Sequence, residues 1–152
     1  MRALATAILC SLAAARVPAQ SVKDALELSR QAVETQRRVL ISGALPLTDG
    51  EASAFWPLYD GFEKERRALD ERANRLVVDF VAAAPAIADS QATAMLNEAL
   101  KLDEDRLRLR RGWMSRMAKA IPPRKLLRFF QIENKLDSVV RADVARQIPL
   151  VP

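Results

Sequence analysis

The side chains that most often carry catalysis or bind metals are scarce in this 152-residue sequence. It contains no histidine, and its single cysteine, Cys10, lies in an apolar N-terminal segment. Histidine-dependent triads and zinc sites built on histidine or thiolate therefore have no residues to form them. The four glycines do not form a phosphate-binding loop. We expect no enzyme activity, no cofactor and no catalytic or metal site.

The acidic triplet Asp103-Glu104-Asp105 is the cluster that could bind a hard cation or supply paired carboxylates. Four of the next six residues, 106–111, are arginine, and Glu104 and Arg108 have the spacing of a helical ion pair. A solvated, charge-balanced helix face is therefore favoured over a metal site.

Tyr59 and Arg66 lie on one long apolar helical stripe, which only Arg66 interrupts. Tyr59 is interpreted as a core residue rather than a catalytic one. Arg66 is either an anion contact on a concave face or an arginine whose aliphatic stem packs at the edge of the stripe. The second interpretation is favoured because arginine is seldom fully buried.

The basic run from Arg106 to Lys119 raises the question of nucleic-acid binding. The acidic triplet upstream, the small net charge and the N-terminal export pattern all argue against it. Contact with anionic lipid headgroups stays open, although no helix is expected to combine a wholly basic polar face with exposed bulky anchors.

The first nineteen residues have the pattern of a signal peptide cleaved after Ala19. Arg2 provides the positive start, Ala3–Ala15 is apolar, and Val17-Pro18-Ala19 offers small or short side chains at the cleavage positions. The apolar run is short for a membrane span. A short buried helix and a lipoprotein are the less favoured alternatives. We expect a periplasmic protein, with one domain over residues 20–152 and a formal net charge lowered from +5 to +3 by loss of Arg2 and Arg16.

The composition predicts an all-α fold, since glycine and aromatic residues are few. Apolar periodicity and breaks predict four helices, which cover about Ser21–Ser42, Thr48–Ala84, Asp89–Ile121 and Pro122–Pro149. The second and third should form a long antiparallel hairpin, bent at Pro57. Its apolar face needs a cover, either the first and fourth helices or a second copy of the chain.

Two helix starts carry a family resemblance. Leu47–Glu51 (LTDGE) is a capping box in which Thr48 and Glu51 bind each other's amides, and it resembles an LTxxQ motif ending in Glu. Ile87–Gln91 (IADSQ) resembles a degenerate second copy that keeps Ile87 and Gln91. The strings Phe55–Tyr59 and Arg128–Lys135 are also similar to a branch of such proteins.

With its export pattern, the chain resembles the Spy/CpxP-like periplasmic proteins. The resemblance implies a long bent α-hairpin, dimerisation into a cradle, and work as an ATP-independent chaperone or an envelope-stress regulator. The metal-sensing variants of the family are disfavoured because histidine and cysteine are missing from the mature chain.

We therefore expect a protein that binds unfolded or membrane-derived clients on an amphiphilic helical surface. Apolar side chains would attract clients without directional contacts, and rim arginines would capture acidic ones; the candidate residues are Leu96, Leu100, Met114, Met117, Arg106, Arg110 and Arg116. The alternatives are a regulatory module that docks on one envelope partner, such as a sensor's periplasmic domain, and a purely structural role with a closed core.

Overall fold

In a computed structural model of the chain, the structure describes Asp24, Leu28 and residues 36–151. These residues contain four α-helices and no strand, which confirms the all-α prediction. The described helices are α1 (36–44), α2 (Asp49–Ala83), α3 (Asp89–Met117) and α4 (Pro123–Gln147), with a 3₁₀ turn at Ala84–Ala86. The predicted signal segment, Cys10 and most of the first predicted helix lie outside the described residues.

The start of α2 is fixed by the capping box that the sequence predicts. The Glu51 amide donates to the Thr48 hydroxyl at 3.3 Å, and the Thr48 amide donates to the Glu51 carboxylate at 2.7 Å. Asp49 adds a second negative charge in the first turn, where the helix dipole favours it. A cap of this kind stabilises a helix by about 1 kcal/mol.

The start of α3 lacks such a cap. Ala88 occupies the N-cap position and provides no side-chain hydrogen bond, since alanine has no oxygen to accept from the first-turn amides. Ile87 is half-buried and Gln91 is exposed. Of the two predicted motifs, only the first therefore forms a complete cap. Breaks occur at Pro46, Pro85 and Pro122 as predicted, although α3 ends at Met117 rather than at Ile121. Pro123 is the first residue of α4.

Helices α2 and α3 form the predicted antiparallel hairpin. Arg72 of α2 pairs with Glu98 and Asp105 of α3, while Asp70 pairs with Arg106. Nearer the start of α2, Gly61 lies directly under the Trp113 ring. Along these contacts the residue numbers on α3 increase while those on α2 decrease, as expected for antiparallel helices.

The core lies where α1 and α4 fold back onto the hairpin. Phe129 of α4 meets the rings of Phe55, Tyr59 and Phe62 edge-on, with centroids 5.2, 6.0 and 6.0 Å away. Edge-to-face contacts of this kind add about 0.5–1.5 kcal/mol each beyond simple burial. Ile41 of α1 belongs to the same cluster. Of the two predicted covers for the hairpin, the described residues show the first and fourth helices at this end.

Candidate functional site

Helix α3 carries two adjacent apolar faces, which together form one broad apolar side. Leu102, Trp113 and Met117 are buried and face the core. Leu96, Leu100 and Leu107 are 61%, 55% and 51% exposed. At 3.6 residues per turn, these three leucines fall within an arc of about 40°. We call them the leucine stripe.

The predicted client-binding residues are divided between these two faces. Leu96 and Leu100 belong to the exposed leucine stripe, as a binding surface requires. Met117 is fully buried in the core, and Met114 packs against that core. Met117 therefore lies outside the stripe, and Met114 has the helical phase of Leu96 but is half-buried against the core. Arg116 is exposed and lies over the neighbouring indole ring at 4.4 Å.

The predicted rim arginines Arg106 and Arg110 are partly buried and paired with carboxylates of the same and neighbouring helices. Arg106 lies 3.5 Å from both Asp70 and Asp103. Arg110 donates to Asp137 of α4 at 2.9 Å. Their charges join helices together, so capture of an acidic client by either arginine would have to break an internal ion pair.

The acidic triplet of α3 is part of a surface ion-pair network. Asp105 accepts from Arg72 at 2.8 Å and from Arg108 at 3.2 Å. The sequence spacing favoured a pair between Glu104 and Arg108, but Arg108 pairs with Asp105. The hydrogen bond from Arg72 is the main reason that the pKa of Asp105 is lowered. Within the described residues there is no group of three or more metal-binding side chains placed to hold an ion.

A buried ion network joins α1, α2 and α4 beside the aromatic core. The Arg37 side chain is 2% exposed; it donates to Glu133, donates to Asp137 at 2.9 Å, and lies 4.0 Å from Glu63. A buried charge is tolerated only when it is paired, because its desolvation costs several kcal/mol. Arg37 therefore fixes the position of α1 on the other two helices.

Arg66 also belongs to this network. It donates to Glu63 at 2.9 and 3.0 Å and to Asp70 one turn further on. Neither predicted role for Arg66, an anion contact or a stem packed at the stripe's edge, describes this paired, buried position. Burial raises the pKa of Glu63, but the hydrogen bond and charge of Arg66, with the charge of Arg37, outweigh it and the pKa is lowered.

Glu133 is the member of the buried ion network with the most perturbed acidity. Burial, helped by the negative charges of Asp137 and Glu63, raises its pKa to about 7 against the opposing charge of Arg37. One Glu133 oxygen, Oε1, and the Arg37 Nε have no hydrogen-bond partner in the described structure. Glu133 can therefore gain or lose a proton near neutral pH.

Sequence reasoning missed Arg37, Glu63 and Glu133 as a group. The available signal was helical phase: Arg37 lies one turn before Ile41, and Glu133 lies one turn after Phe129. A charged residue on the core stripe of each of several helices indicates an internal ion network, provided that those helices meet.

A groove of about 360 Å³ lies between α2, α3 and α4. The buried ion network borders it through Arg37 and Arg66. Its apolar wall includes Leu76, Val77, Leu102, Val140 and Val144. Most of its polar lining consists of arginines paired with aspartates, and Asn74 and Arg141 complete it. Tyr59 lies in the core, where burial and the nearby carboxylates raise the pKa of its hydroxyl and keep it protonated.

The exposed side of α4 carries several cations. Its exposed charged residues are all basic, namely Arg124, Arg128, Lys135, Arg141 and Arg146, and we call this side the basic face. Leu127 and Val139 on the same helix are 60% and 56% exposed. Gln131, Asn134 and Ser138 are exposed on this helix as well, and the Asp143 side chain is 35% exposed. The prediction that no helix combines a wholly basic polar face with exposed bulky anchors therefore stays a prediction.

The reason for this charge is the direction in which the acids of α4 point. Glu133 and Asp137 turn inward to Arg37 and Arg110. Asp143 is partly exposed and pairs with an arginine one turn away. The sequence of α4 is charge-mixed, but its exposed face is not.

No helix in the part of the chain that the structure describes has the length and apolarity needed to cross a membrane. Comparison with known proteins found no family model, no curated protein and no solved structure that matches this chain.

Proposed function

We propose that this chain is an exported helical protein that binds partly unfolded or membrane-derived proteins, in the manner of an ATP-independent chaperone. The observation that carries the proposal is the leucine stripe, a second apolar face on α3 that the core does not use. The signal-peptide pattern of residues 1–19 supports export, and the LTxxQ-like helix starts support a Spy/CpxP-like role.

The stripe suits varied clients because hydrophobic attraction is non-directional and scales with the apolar area removed from water. Burying a leucine completely stabilises a complex by about 1.5–3 kcal/mol, so a half-exposed leucine has about 1 kcal/mol left to contribute. Exposed charges beside the stripe, including Lys101, Glu104 and Arg111, would keep the loaded complex in solution.

The test is suppression of aggregation of a chemically unfolded client by stoichiometric amounts of the purified protein. We expect the wild type to slow light scattering, and the triple variant Leu96→Ser, Leu100→Ser, Leu107→Ser to bind the client about 100-fold more weakly. The matched control replaces three exposed aliphatic residues elsewhere with serine: Val39, Leu127 and Val139. It should retain full activity, and circular dichroism should show unchanged helicity in both variants.

The proposal fails if the wild type does not slow aggregation, or if the stripe variant works as well as the control variant. Saturable binding to one envelope protein without general suppression would support the regulatory alternative instead.

A further inference from the structure

The basic face of α4 is long and convex, and the partly exposed carboxylate beside it, Asp143, is paired with Arg146. From Arg124 to Arg146 it extends about 33 Å at the rise of an α-helix. Five exposed cations follow this length; Arg128 also donates to the Ala44 carbonyl, Arg141 also borders the groove, and Arg146 pairs with Asp143. A linear array of that kind does not form a pocket for a small anion, but it matches an extended surface that carries many negative charges.

The two exposed aliphatic side chains supply a second, independent feature. Leu127 and Val139 lie among the cations and leave most of their surface in water. Arginine and lysine can extend their charged ends outward while their stems lie along an apolar surface. The face therefore combines cations with short apolar side chains, the composition that interfacial helices use at the boundary between headgroups and acyl chains.

We propose that the basic face of α4 binds the surface of anionic lipid bilayers, with its cations on the headgroup phosphates and Leu127 and Val139 in the interface. The helix would lie in the membrane plane while its opposite side stays packed on α2 and α3. The inward turn of Glu133 and Asp137 makes this possible, because it removes their repulsion from the contact.

The observations favour lipid over the other polyanions. Nucleic acid would use the cations, but α4 exposes no aromatic ring for base stacking, and the two aliphatic residues would gain little from a phosphate backbone. An acidic protein must match the shape of a convex helix, whereas fluid headgroups rearrange around it. Each basic residue near an anionic surface strengthens binding about fivefold, and added salt should screen this attraction.

The experiment is sedimentation of the full chain with vesicles of phosphatidylglycerol and phosphatidylcholine, compared with vesicles of phosphatidylcholine alone. The face variant is Arg124→Gln, Lys135→Gln, Arg141→Gln, and the matched control is Lys64→Gln, Lys101→Gln, Arg111→Gln. These six cations are exposed, and both variants lose the same charge. Every variant keeps the apolar Ala3–Ala15 run, so differences between them report on α4.

We expect salt-sensitive binding to the anionic vesicles only, weakened about 100-fold in the face variant and much less in the control. Leu127→Ser with Val139→Ser should weaken the binding that remains at high salt. Equal losses in the face and control variants would overturn the proposal, as would absence of binding to anionic vesicles. Tighter binding to duplex DNA or polyglutamate through the same residues would overturn lipid as the partner. The leucine-stripe variant should still bind vesicles, so this result is independent of the client-binding proposal.

Discussion

Replacing Arg37 with methionine tests whether the buried ion network holds α1 in place. Methionine keeps most of the aliphatic volume and removes the charge. Glu133 and Asp137 then lose a hydrogen-bond donor, and Glu63 loses a positive charge 4.0 Å away. Because the site is buried, water cannot take over the role of the guanidinium without disturbing the packing.

The expected cost is about 3 kcal/mol in the free energy of unfolding near pH 8. Removing one partner of a buried ion pair typically costs 3–5 kcal/mol, and we take the lower end because Arg66 still neutralises Glu63 and Arg110 still pairs with Asp137. The matched control is Arg38→Met, one residue along. Arg38 pairs with Asp60, but their side chains are 52% and 60% exposed. That exposed pair and its contact with an indole ring are each worth at most about 1 kcal/mol, so together at most about 2 kcal/mol.

The assay is urea unfolding followed by far-UV circular dichroism at about pH 8 and about pH 5, with linear extrapolation to water. The Arg37→Met cost should be smaller at about pH 5, because Glu133 is protonated there and no longer needs the cation. Adding Glu133→Leu to Arg37→Met should recover most of the loss, since both charges are then removed. If Arg37→Met costs no more than Arg38→Met near pH 8, the reasoning about the buried ion network is refuted.

Three further predictions concern single side chains. The folded-state pKa of Glu133 is raised from 4.5 to about 7. Between these pH values the folded chain holds a proton that the unfolded chain releases, so the free energy of unfolding should increase as the pH falls. Glu133→Gln should flatten this slope in pH-dependent melts, and an unchanged slope would assign the slope to other groups. A Cβ on Gly61 would lie 2.5 Å from the Trp113 ring, so Gly61→Ala should destabilise the hairpin by about 1–3 kcal/mol. The control Gly112→Ala adds a Cβ with nothing within 4 Å and should stabilise the hairpin by about 0.5–1 kcal/mol. Equal effects of the two variants on the thermal midpoint would contradict the close contact. Thr48→Ala removes the cap of α2 and should cost about 1 kcal/mol in urea titrations, with Thr93→Ala inside α3 as a control expected to change stability less.

The helix boundaries were largely predictable because local chemistry sets them. The capping box at Thr48 and the paired prolines at Pro122 and Pro123 appear where the sequence indicates. The end of α3 was less predictable, because the apolar pattern continues to Ile121 whereas the helix ends at Met117. Ile121 lies in the turn that follows α3, and its side chain is buried in the core. An apolar residue in a turn next to the core gives the same periodic signal as an apolar residue in a helix.

The candidate site was predicted less well. Leu96 and Leu100 were expected on an open surface together with Met114 and Met117, yet the leucines are exposed and Met117 is buried. All four lie on one broad apolar side of a helical wheel. A helical wheel fixes the angle between side chains, but not the direction of the neighbouring helix.

The sequence by itself determined the helical class, the positions of the breaks and the absence of histidine, because composition and capping act within a few residues of the chain. Only the tertiary structure decided which apolar face of α3 is buried, and that Arg37 and Glu133 meet inside the protein. It also decided that the acids of α4 point inward and leave the basic face outside. These features depend on contacts between residues distant in sequence: Arg37 and Glu133 are 96 positions apart, and no local pattern links them.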